Sequence, residues 1–333
     1  MKKLLLMVVR IVVSGCLALG ILTVFCYFYY NVPVHSLSSD GVTDYRWEPC
    51  KFYCRATEGI AWGRTNNEGY LNLVDYEQGS IVDILLMGSS HMEAYQVGMM
   101  ESAAAVLQKK IPEYGVYNIG TSGHSFLTCV KNLNAAVEKY KPRRYVIIET
   151  GTTEFNYSDL KDTLEGKRKA HPSFDKGIVG VLQKNQFLRL LWMQLRQGFL
   201  DDRKKNRINI QMKNSKNDKD GSSLLNTLLG NVRQTVNCDV KIVIVYHPST
   251  KVLSDGQLFL GGKKEAVGKF SELCKDNGII FLDMSRRFIS DYEILHVLPH
   301  GFCNSPVGKG HLNRYGHRMI AQELASVVKE GCQ

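Results

Sequence analysis

Five short apolar runs recur along the 333-residue chain, and longer stretches with helical spacing separate them. Such near-continuous hydrophobic runs are typical of strands that are buried on both faces of a parallel sheet. The five runs are Ile81–Met87, Val116–Ile119, Tyr145–Glu149, Val240–Tyr246 and Ile279–Leu282. Their alternation with helices predicts an α/β domain of the flavodoxin-like, three-layer α/β/α type with a five-stranded parallel sheet.

The stretches between the runs predict the helices of this domain. They are Met99–Lys110, Leu127–Tyr140, Leu224–Val236 and Lys263–Asn277, and a last helix over Asn313–Glu330 follows with Asn313 as its N-cap. The third and fourth strands lie about ninety residues apart, far more than one crossover helix needs. We therefore expect an insertion at about 160–237, with an apolar helix over Val181–Leu195.

The N-terminus predicts one transmembrane helix. Lys2, Lys3 and Arg10 precede about twenty uncharged residues, 11–30, enough to cross a bilayer core of about 30 Å. Basic residues before the span and aromatic residues at its end favour a cytoplasmic N-terminus and an extracytoplasmic domain. A cleaved signal peptide is the alternative, but its apolar region would be unusually long and no small-residue cleavage site follows Tyr30.

We therefore divide the chain into a cytoplasmic tail at 1–10, a membrane anchor at 11–30, a membrane-proximal lead-in at 31–79 and the α/β domain at 80–333. Seven cysteines lie outside the anchor. Cys50 and Cys54 are candidates for a disulfide, with a zinc site as the weaker alternative, whereas Cys129 and Cys274 occupy apolar positions of predicted helices.

The net charge of +10 is concentrated in two places. Three of the excess charges lie in the cytoplasmic tail, and the run Arg203–Lys219 has seven basic residues and one acidic residue. The rest of the chain is close to neutral, which argues against a nucleic-acid partner. The basic run is either a solvated loop or a contact for anionic headgroups or a charged polymer.

Polar and glycine-rich turns follow three predicted strands, at the edge of the sheet where ligands bind in this fold class. Ser90 follows the first strand in MGSSH, Gly123 follows the second in NIGTSGH, and Thr153 follows the third in ETGTTE. His311 precedes the last helix in GHLNRYGH. A serine, amide donors and a late histidine are the parts that acyl transfer needs.

These four segments resemble conserved blocks of the SGNH (GDSL-type) serine hydrolases, in the order of that family and over about three quarters of the chain. The Gly-Ser-Ser sequence resembles the variant of membrane-anchored polysaccharide O-acetylation and D-alanyl-transfer proteins. The resemblance implies that Ser90 is the nucleophile and His311 the base. It also implies that the backbone amides of Ser90 and Gly123, with Thr153, form the oxyanion hole.

The chain departs from the family pattern at two positions. Thr153 stands where the family has asparagine, and Gly308 stands where the family has the aspartate that orients the histidine. Asp283 and Glu154, at predicted strand ends, are possible replacements for that aspartate. We interpret His91, His124 and His317 as neighbours of the site, with His317 as the rival base.

The leading hypothesis is an extracytoplasmic serine O-acyl esterase or O-acyltransferase that acts on a cell-surface or exported glycan. Its expected partners are an acylated glycan or other acyl donor, the membrane, and possible membrane-bound proteins that supply acyl groups, with no cofactor and no metal. The alternative is a non-catalytic SGNH-fold protein that binds glycans or acts as a scaffold. The residues do not decide between hydrolysis and transfer.

Overall fold

A computed structural model of the chain describes residues 2–167, 184–195 and 218–331. It begins with a long helix, α1 (Lys2–Tyr29), which is apolar and long enough to cross a membrane. The most apolar part of α1 is not buried against the rest of the protein. The lead-in then forms two small antiparallel sheets rather than irregular chain. Their strands are β1 (Tyr30–Asn31), β2 (His35–Leu37), β3 (Tyr45–Trp47), β4 (Phe52–Arg55) and β5 (Ala61–Arg64), paired as β1-β4-β5 and β2-β3.

A five-stranded parallel sheet forms the centre of the main domain. Its strands are β6 (Ile84–Met87), β7 (Val116–Asn118), β8 (Tyr145–Thr150), β9 (Lys241–Tyr246) and β12 (Ile280–Asp283). The spatial order β12-β9-β8-β6-β7 is the flavodoxin-like order, so the predicted fold class is confirmed. An antiparallel hairpin, β10 (Thr250–Val252) and β11 (Leu258–Leu260), follows β9.

Helices cover both faces of this sheet, because strands that are apolar on both faces need two hydrophobic layers. One face is covered by α4 (Phe126–Tyr140), α5 (Tyr157–Leu164), α7 (Asp218–Thr235) and α8 (Lys264–Asp276). The other face is covered by α3 (Ala103–Lys110), α9 (Ser285–Leu295) and α10 (Arg314–Glu330). A short helix α2 (Ser90–Glu93) and a 3₁₀ turn at Met99–Glu101 follow β6.

The insertion is described only in part. Of the helix predicted over Val181–Leu195, residues 186–195 are helical, and we label them α6. Most of the basic run Arg203–Lys219 lies outside the described residues. The start of α7 at Asp218 precedes the predicted start at Leu224.

The cysteines differ from expectation in one respect. Cys129 and Cys274 are buried in the core, as predicted. The proposed Cys50–Cys54 disulfide is wrong for this structure, in which both thiols are free. Cys50 has a positive φ of 57°, and the thiol of Cys54 instead donates a hydrogen bond to the Phe28 carbonyl at the end of α1.

Asn313 caps α10, as the sequence predicted. Its side-chain oxygen accepts hydrogen bonds from the backbone N–H groups of Tyr315 and Gly316, at 2.9 and 3.2 Å. Its amide group donates to the carbonyls of Leu298 and Gly301, so one side chain joins the helix to the loop before it. The cap therefore holds the segment that contains His311 against the main domain.

We expect Asn313→Ala to lower the free energy of unfolding by about 1–2 kcal/mol, because it removes a cap and leaves helix N–H groups unpaired. Asn156→Ala is the matched control, since Asn156 precedes α5 but its side chain makes no capping hydrogen bond. Denaturant unfolding of the protein in detergent measures both changes. Equal losses in the two variants would show that the cap contributes nothing specific.

Candidate active site

Ser90 lies at the carboxyl edge of the sheet, at the start of α2. The chain leaves β6 through Gly88, where a Cβ atom would lie 2.6 Å from Glu149 Oε2 and 2.7 Å from Met92 Cβ. The side chain of Ser89 caps α2 by accepting a hydrogen bond from the N–H of His91. These local constraints leave Ser90 half-buried at the edge of the sheet.

Ser90 and His311 meet, as the resemblance implied. Ser90 Oγ lies 2.9 Å from Nε2 of His311, although 221 residues separate the two in sequence. The other ring nitrogen, Nδ1, lies 2.7 Å from Oε2 of Glu58, and Oε1 of Glu58 accepts the backbone N–H of His311 at 2.9 Å. Glu58 therefore fixes both the ring and the backbone of His311.

The electrostatics of this contact favour an ionised Glu58. Partial burial opposes ionisation, but the side-chain and backbone hydrogen bonds from His311 outweigh it and lower the pKa of Glu58 to about 2. An ionised carboxylate accepts the Nδ1–H of the imidazole, which leaves the Nε2 lone pair directed at the hydroxyl of Ser90. This is the arrangement of nucleophile, base and orienting acid of a serine hydrolase.

Neither acid proposed to orient His311 does so. Glu154 forms an ion pair with Lys263 at 2.9 Å. Asp283 accepts hydrogen bonds from both the backbone N–H and the hydroxyl of Ser285, at the start of α9. Both acids have the local structural roles that are common at strand ends, and the orienting carboxylate comes from the lead-in instead.

The two other predicted oxyanion donors follow the strands on either side of β6. Gly123 lies in the turn after β7 and has a positive φ of 84°, where its Cβ would meet the hydroxyl of Tyr45. Thr153 follows β8 and is buried. Because β7 and β8 both pair with β6, these residues lie at the same edge of the sheet as Ser90. Their part in catalysis is a proposal that we develop below.

A buried glutamate supports the turn that carries Ser90. Glu149, at the end of β8, accepts the N–H of Ser89 at 2.6 Å and contacts Nε2 of His247 at 2.7 Å. Burial raises the pKa of Glu149, but the hydrogen bond from His247, the electrostatic attraction of the His247 and His91 imidazoles and the Ser89 N–H outweigh it and lower the pKa to about 2. Glu149 thus connects the nucleophile turn to the loop after β9.

Three further histidines surround His311. His91 lies 5.1 Å from it between ring centroids, and one ring nitrogen each of His91, His247 and His300 lies within 4.8 Å of the other two. Burial, with the neighbouring imidazoles, lowers the pKa of His300 to about 3 and that of His91 well below its usual value. His91 and His300 therefore favour the neutral form of the imidazole.

The hydrogen bonds of these three histidines argue against a three-histidine metal site. His91 Nδ1 accepts the N–H of Leu312, so its Nε2 carries the proton and has no lone pair for a metal. His300 Nδ1 contacts Thr250 Oγ1, which itself donates to the Gly308 carbonyl, so His300 keeps its lone pair on Nε2. The cluster thus combines an N–H donor on His91 with a lone pair on His300, so it does not offer three lone pairs to a metal ion.

The other two predicted histidine neighbours, His317 and His124, have contacts elsewhere in the fold. His317, the rival base, is 1% exposed and its Nδ1 accepts the N–H of Ala103 at 3.2 Å, so it belongs to the packing of α10 on α3. His124 is buried with Nε2 3.9 Å from Asp44 Oδ2. Of these three histidines, it is His91 that lies next to His311, and its Nδ1 accepts the backbone N–H of Leu312.

Sequence reasoning missed Glu58 because it lies 253 residues from His311, in a lead-in without periodic patterning. The one local signal is Gly310, next to His311. Gly310 has a positive φ of 94°, and a Cβ there would collide with Oε1 of Glu58. A glycine before the histidine thus marks the close approach of another chain segment, but not which segment approaches.

No protein-family model matches this chain, and no curated protein matches it. Solved structures do resemble it. They include the psychrotrophic esterase EstA from Pseudoalteromonas sp. (14% identity, TM-score 0.38, 75% of this chain and 97% of that chain). The acetyl xylan esterase AlAXEase has 12% identity and a TM-score of 0.41 over 74% of this chain and 98% of its own.

A member of the lipolytic protein G-D-S-L family from Veillonella parvula has 13% identity and a TM-score of 0.37 over 73% of this chain and 96% of its own. At such identities the similarity concerns the fold. The site itself must therefore carry any conclusion about chemistry.

We expect the protein to lose stability between about pH 6.5 and pH 3, in part because His317 is buried and neutral. Burial, followed by the charges of nearby histidines, lowers its pKa to about 3, so the unfolded chain binds a proton that the folded chain does not. The contribution of neutral His317 to the free energy of unfolding is fully present above the pKa that histidine has in the unfolded chain. It falls as the pH drops below that value. At about pH 5 the loss is about 2 kcal/mol for this residue.

Denaturant unfolding between about pH 7 and pH 5 checks this. His317→Asn keeps an acceptor for the Ala103 N–H but cannot be protonated, so its stability should fall less steeply than that of the wild type. Parallel pH profiles would contradict the assignment.

Proposed function

We propose that the protein is a serine O-acyl esterase or O-acyltransferase that uses Ser90, His311 and Glu58. The observation that carries the proposal is the chain of two contacts, 2.9 Å from Ser90 Oγ to His311 Nε2 and 2.7 Å from His311 Nδ1 to Glu58. The resemblance of the four sequence segments to the SGNH hydrolases and the esterase names of the similar structures support the same reaction class.

In the first half of the reaction Ser90 Oγ attacks the carbonyl carbon of an ester. His311 Nε2 accepts the hydroxyl proton as the new C–O bond forms, and Glu58 stabilises the resulting imidazolium. When the tetrahedral intermediate collapses, His311 returns the proton to the leaving alkoxide. The acyl group then remains on Ser90, and the alcohol leaves.

In the second half an acceptor removes the acyl group. His311 takes a proton from water or from a sugar hydroxyl, whose oxygen attacks the carbonyl carbon of the acyl-serine. His311 then returns the proton to Ser90 Oγ as the bond between the acyl carbon and Ser90 breaks. Water gives hydrolysis, whereas a hydroxyl gives transfer. In both halves the negative oxygen of the intermediate is stabilised by the N–H groups of Ser90 and Gly123 and by Thr153, since all three lie at the carboxyl edge around β6.

We further propose a glycan as the acyl donor or acceptor. A cavity of about 500 Å³ is lined by Gly123, which is one of the proposed oxyanion donors, and by Thr152, the residue before another. Its wall also includes Asp44 and Glu154. Asn132 lines it with a buried amide nitrogen that has no hydrogen-bond partner among the residues that the structure describes. Carboxylate, amide and hydroxyl groups in one cavity suit a ligand with many hydroxyls.

The helix α1 supports an anchored, extracytoplasmic protein in this proposal. It has the length and apolarity of a span, and the basic residues Lys2, Lys3 and Arg10 favour a cytoplasmic N-terminus. A transferase in this position would receive acyl groups from a membrane-bound partner, and an esterase would need none. A neutral main domain gives no reason to invoke nucleic acid.

A serine-reactive phosphonate probe tests the nucleophile. The full-length protein in detergent should be labelled at Ser90, and Ser90→Ala should lose the labelling completely while keeping its unfolding profile. Ser89→Ala is the matched control, because Ser89 caps α2 and its hydroxyl faces the N–H of His91. A folded wild-type protein that the probe does not label would overturn the enzymatic proposal and favour the non-catalytic glycan-binding or scaffold alternative.

Glu58→Gln should lower kcat on a simple aryl ester by about 10²–10⁴-fold, because the base loses the carboxylate that fixes its tautomer and stabilises its charged form. The variants Glu154→Gln and Asp283→Asn serve as controls and should retain activity close to that of the wild type. Steady-state kinetics of the four proteins checks this. Wild-type kcat in Glu58→Gln, or a comparable loss in either control, would show that Glu58 is not the orienting acid.

A further inference from the structure

The hairpin that carries Glu58 is attached to the end of the membrane-anchor candidate. The N–H of Ala56 donates to the Tyr29 carbonyl at 2.9 Å, and the Cys54 thiol donates to the Phe28 carbonyl. The strand β1, which continues directly from α1, pairs with β4 through Tyr30 opposite Arg55. The hairpin β4–β5 therefore has a fixed position relative to the outer end of α1.

Both faces of this hairpin carry large apolar side chains, beside Arg55 on the inner face and Arg64 on the outer face, which is unusual for a small antiparallel sheet at a protein surface. The inner face packs into the domain through Tyr53 and Ala61, which are at most 1% exposed. The outer face carries Phe52, Ile60 and Trp62, which are 41%, 61% and 63% exposed. Alternation along each strand places Phe52 and Trp62 on the face that also carries Cys54, and Ile60 immediately precedes β5.

The outer face continues into the anchor helix. The ring of Phe52 stacks on Tyr27 with 5.8 Å between ring centroids. Tyr27 belongs to the aromatic cluster at the end of the predicted span, where aromatic residues lie at the level of the lipid headgroups. Phe52 is therefore at the same depth as that cluster.

The insertion helix α6 contacts the same end of α1 and exposes further apolar side chains. The side chain of Asn185, just before α6, donates to the hydroxyl of Thr23, which is more than one helical turn below Tyr29. Tyr30 donates to the sulfur of Met193 at 2.8 Å. With its inner residues packed against the domain, α6 exposes Leu191, Trp192 and Leu195 by 45%, 39% and 52%.

We infer that this surface, made of Phe52, Ile60, Trp62, Leu191, Trp192 and Leu195, lies in the headgroup and upper acyl region of the bilayer. The occupant is lipid because the surface is continuous with a helix that is itself apolar on all sides and is bonded to it at Thr23, Phe28 and Tyr29. Two tryptophans and a phenylalanine with aliphatic neighbours match the composition of interfacial segments.

This contact determines where the proposed chemistry takes place. Glu58 lies in the turn of the β4–β5 hairpin, and that turn is tied to the loop of His311 through Asn304, which accepts the Gly59 N–H and donates to the Ala56 carbonyl. A hairpin embedded at the bilayer surface holds the orienting acid, and with it the ester-cleaving site, close to the membrane. The inference rests on the proposed function for this consequence only.

Tryptophan fluorescence tests the surface in full-length protein reconstituted into phosphatidylcholine–phosphatidylglycerol vesicles, with phosphatidylcholine brominated in the upper part of its acyl chains as the quencher. The chain has three tryptophans, and Trp47 is buried and donates to Glu93. Bromolipid should strongly quench the wild-type emission. The variant Trp62→Phe/Trp192→Phe should lose most of that quenching and retain only the response of Trp47.

Two control substitutions, each made in the Trp62→Phe/Trp192→Phe variant, define the range of quenching by bromolipid. Leu17→Trp adds an indole in the middle of α1 and should be quenched by bromolipid. Asp239→Trp adds one at an exposed position before β9, at the opposite edge of the sheet from Ser90, and should be quenched by iodide but not by bromolipid. Emission from Trp62 and Trp192 that behaves like that of Asp239→Trp would overturn the inference.

The failure of this inference can be told apart from the failure of the proposed function. Phosphonate labelling of Ser90 in the same vesicles reports on the nucleophile without regard to the depth of Trp62. If Leu17→Trp is not quenched, α1 is not in the bilayer and the surface contact is excluded with it, whereas labelling would still support the enzyme.

Discussion

The contact between Glu58 and His311 joins the lead-in to the main domain. One carboxylate accepts both the ring N–H and the backbone N–H of His311, so it fixes the orientation of the imidazole toward Ser90 and the position of the loop before α10. Gly310 permits this approach because any larger residue would meet Glu58. The family of serine hydrolases that the sequence resembles takes its orienting acid from the histidine loop itself. Here Gly308 occupies that position, and the lead-in supplies the acid.

Around this contact the protein uses ionised carboxylates and neutral imidazoles in a consistent way. Glu58 and Glu149 each face a histidine and a backbone N–H, and hydrogen bonds keep the pKa of both well below the usual range despite burial. His91 and His300, packed close to His311, have lowered pKa values because they are buried among other imidazoles. Neither His91 nor His300 therefore adds a positive charge that would oppose protonation of the proposed base during the reaction.

The lead-in also changes how the anchor is understood. A transmembrane helix followed by a flexible linker would leave the position of a catalytic domain undefined. In this chain the end of α1 passes directly into β1, and β1 pairs with the strand that leads to Glu58. The same short sheet thus contacts α1, packs into the core through Tyr53 and completes the proposed active site. The candidate anchor and the geometry of the site have a common structural element.

The sequence by itself determined the α/β fold, the five strands, the cap at Asn313 and the long apolar helix, and its resemblance to the SGNH hydrolases implied the pairing of Ser90 with His311. The first four features follow from local periodicity and from capping chemistry, which tertiary structure had only to assemble. The acid partner of His311, the absence of a Cys50–Cys54 disulfide and the burial of His317 depended on contacts between distant segments. Glu58 lies in a region whose short strands bury too few residues to leave a hydrophobic pattern, so only the folded chain reveals that it meets His311 across 253 residues.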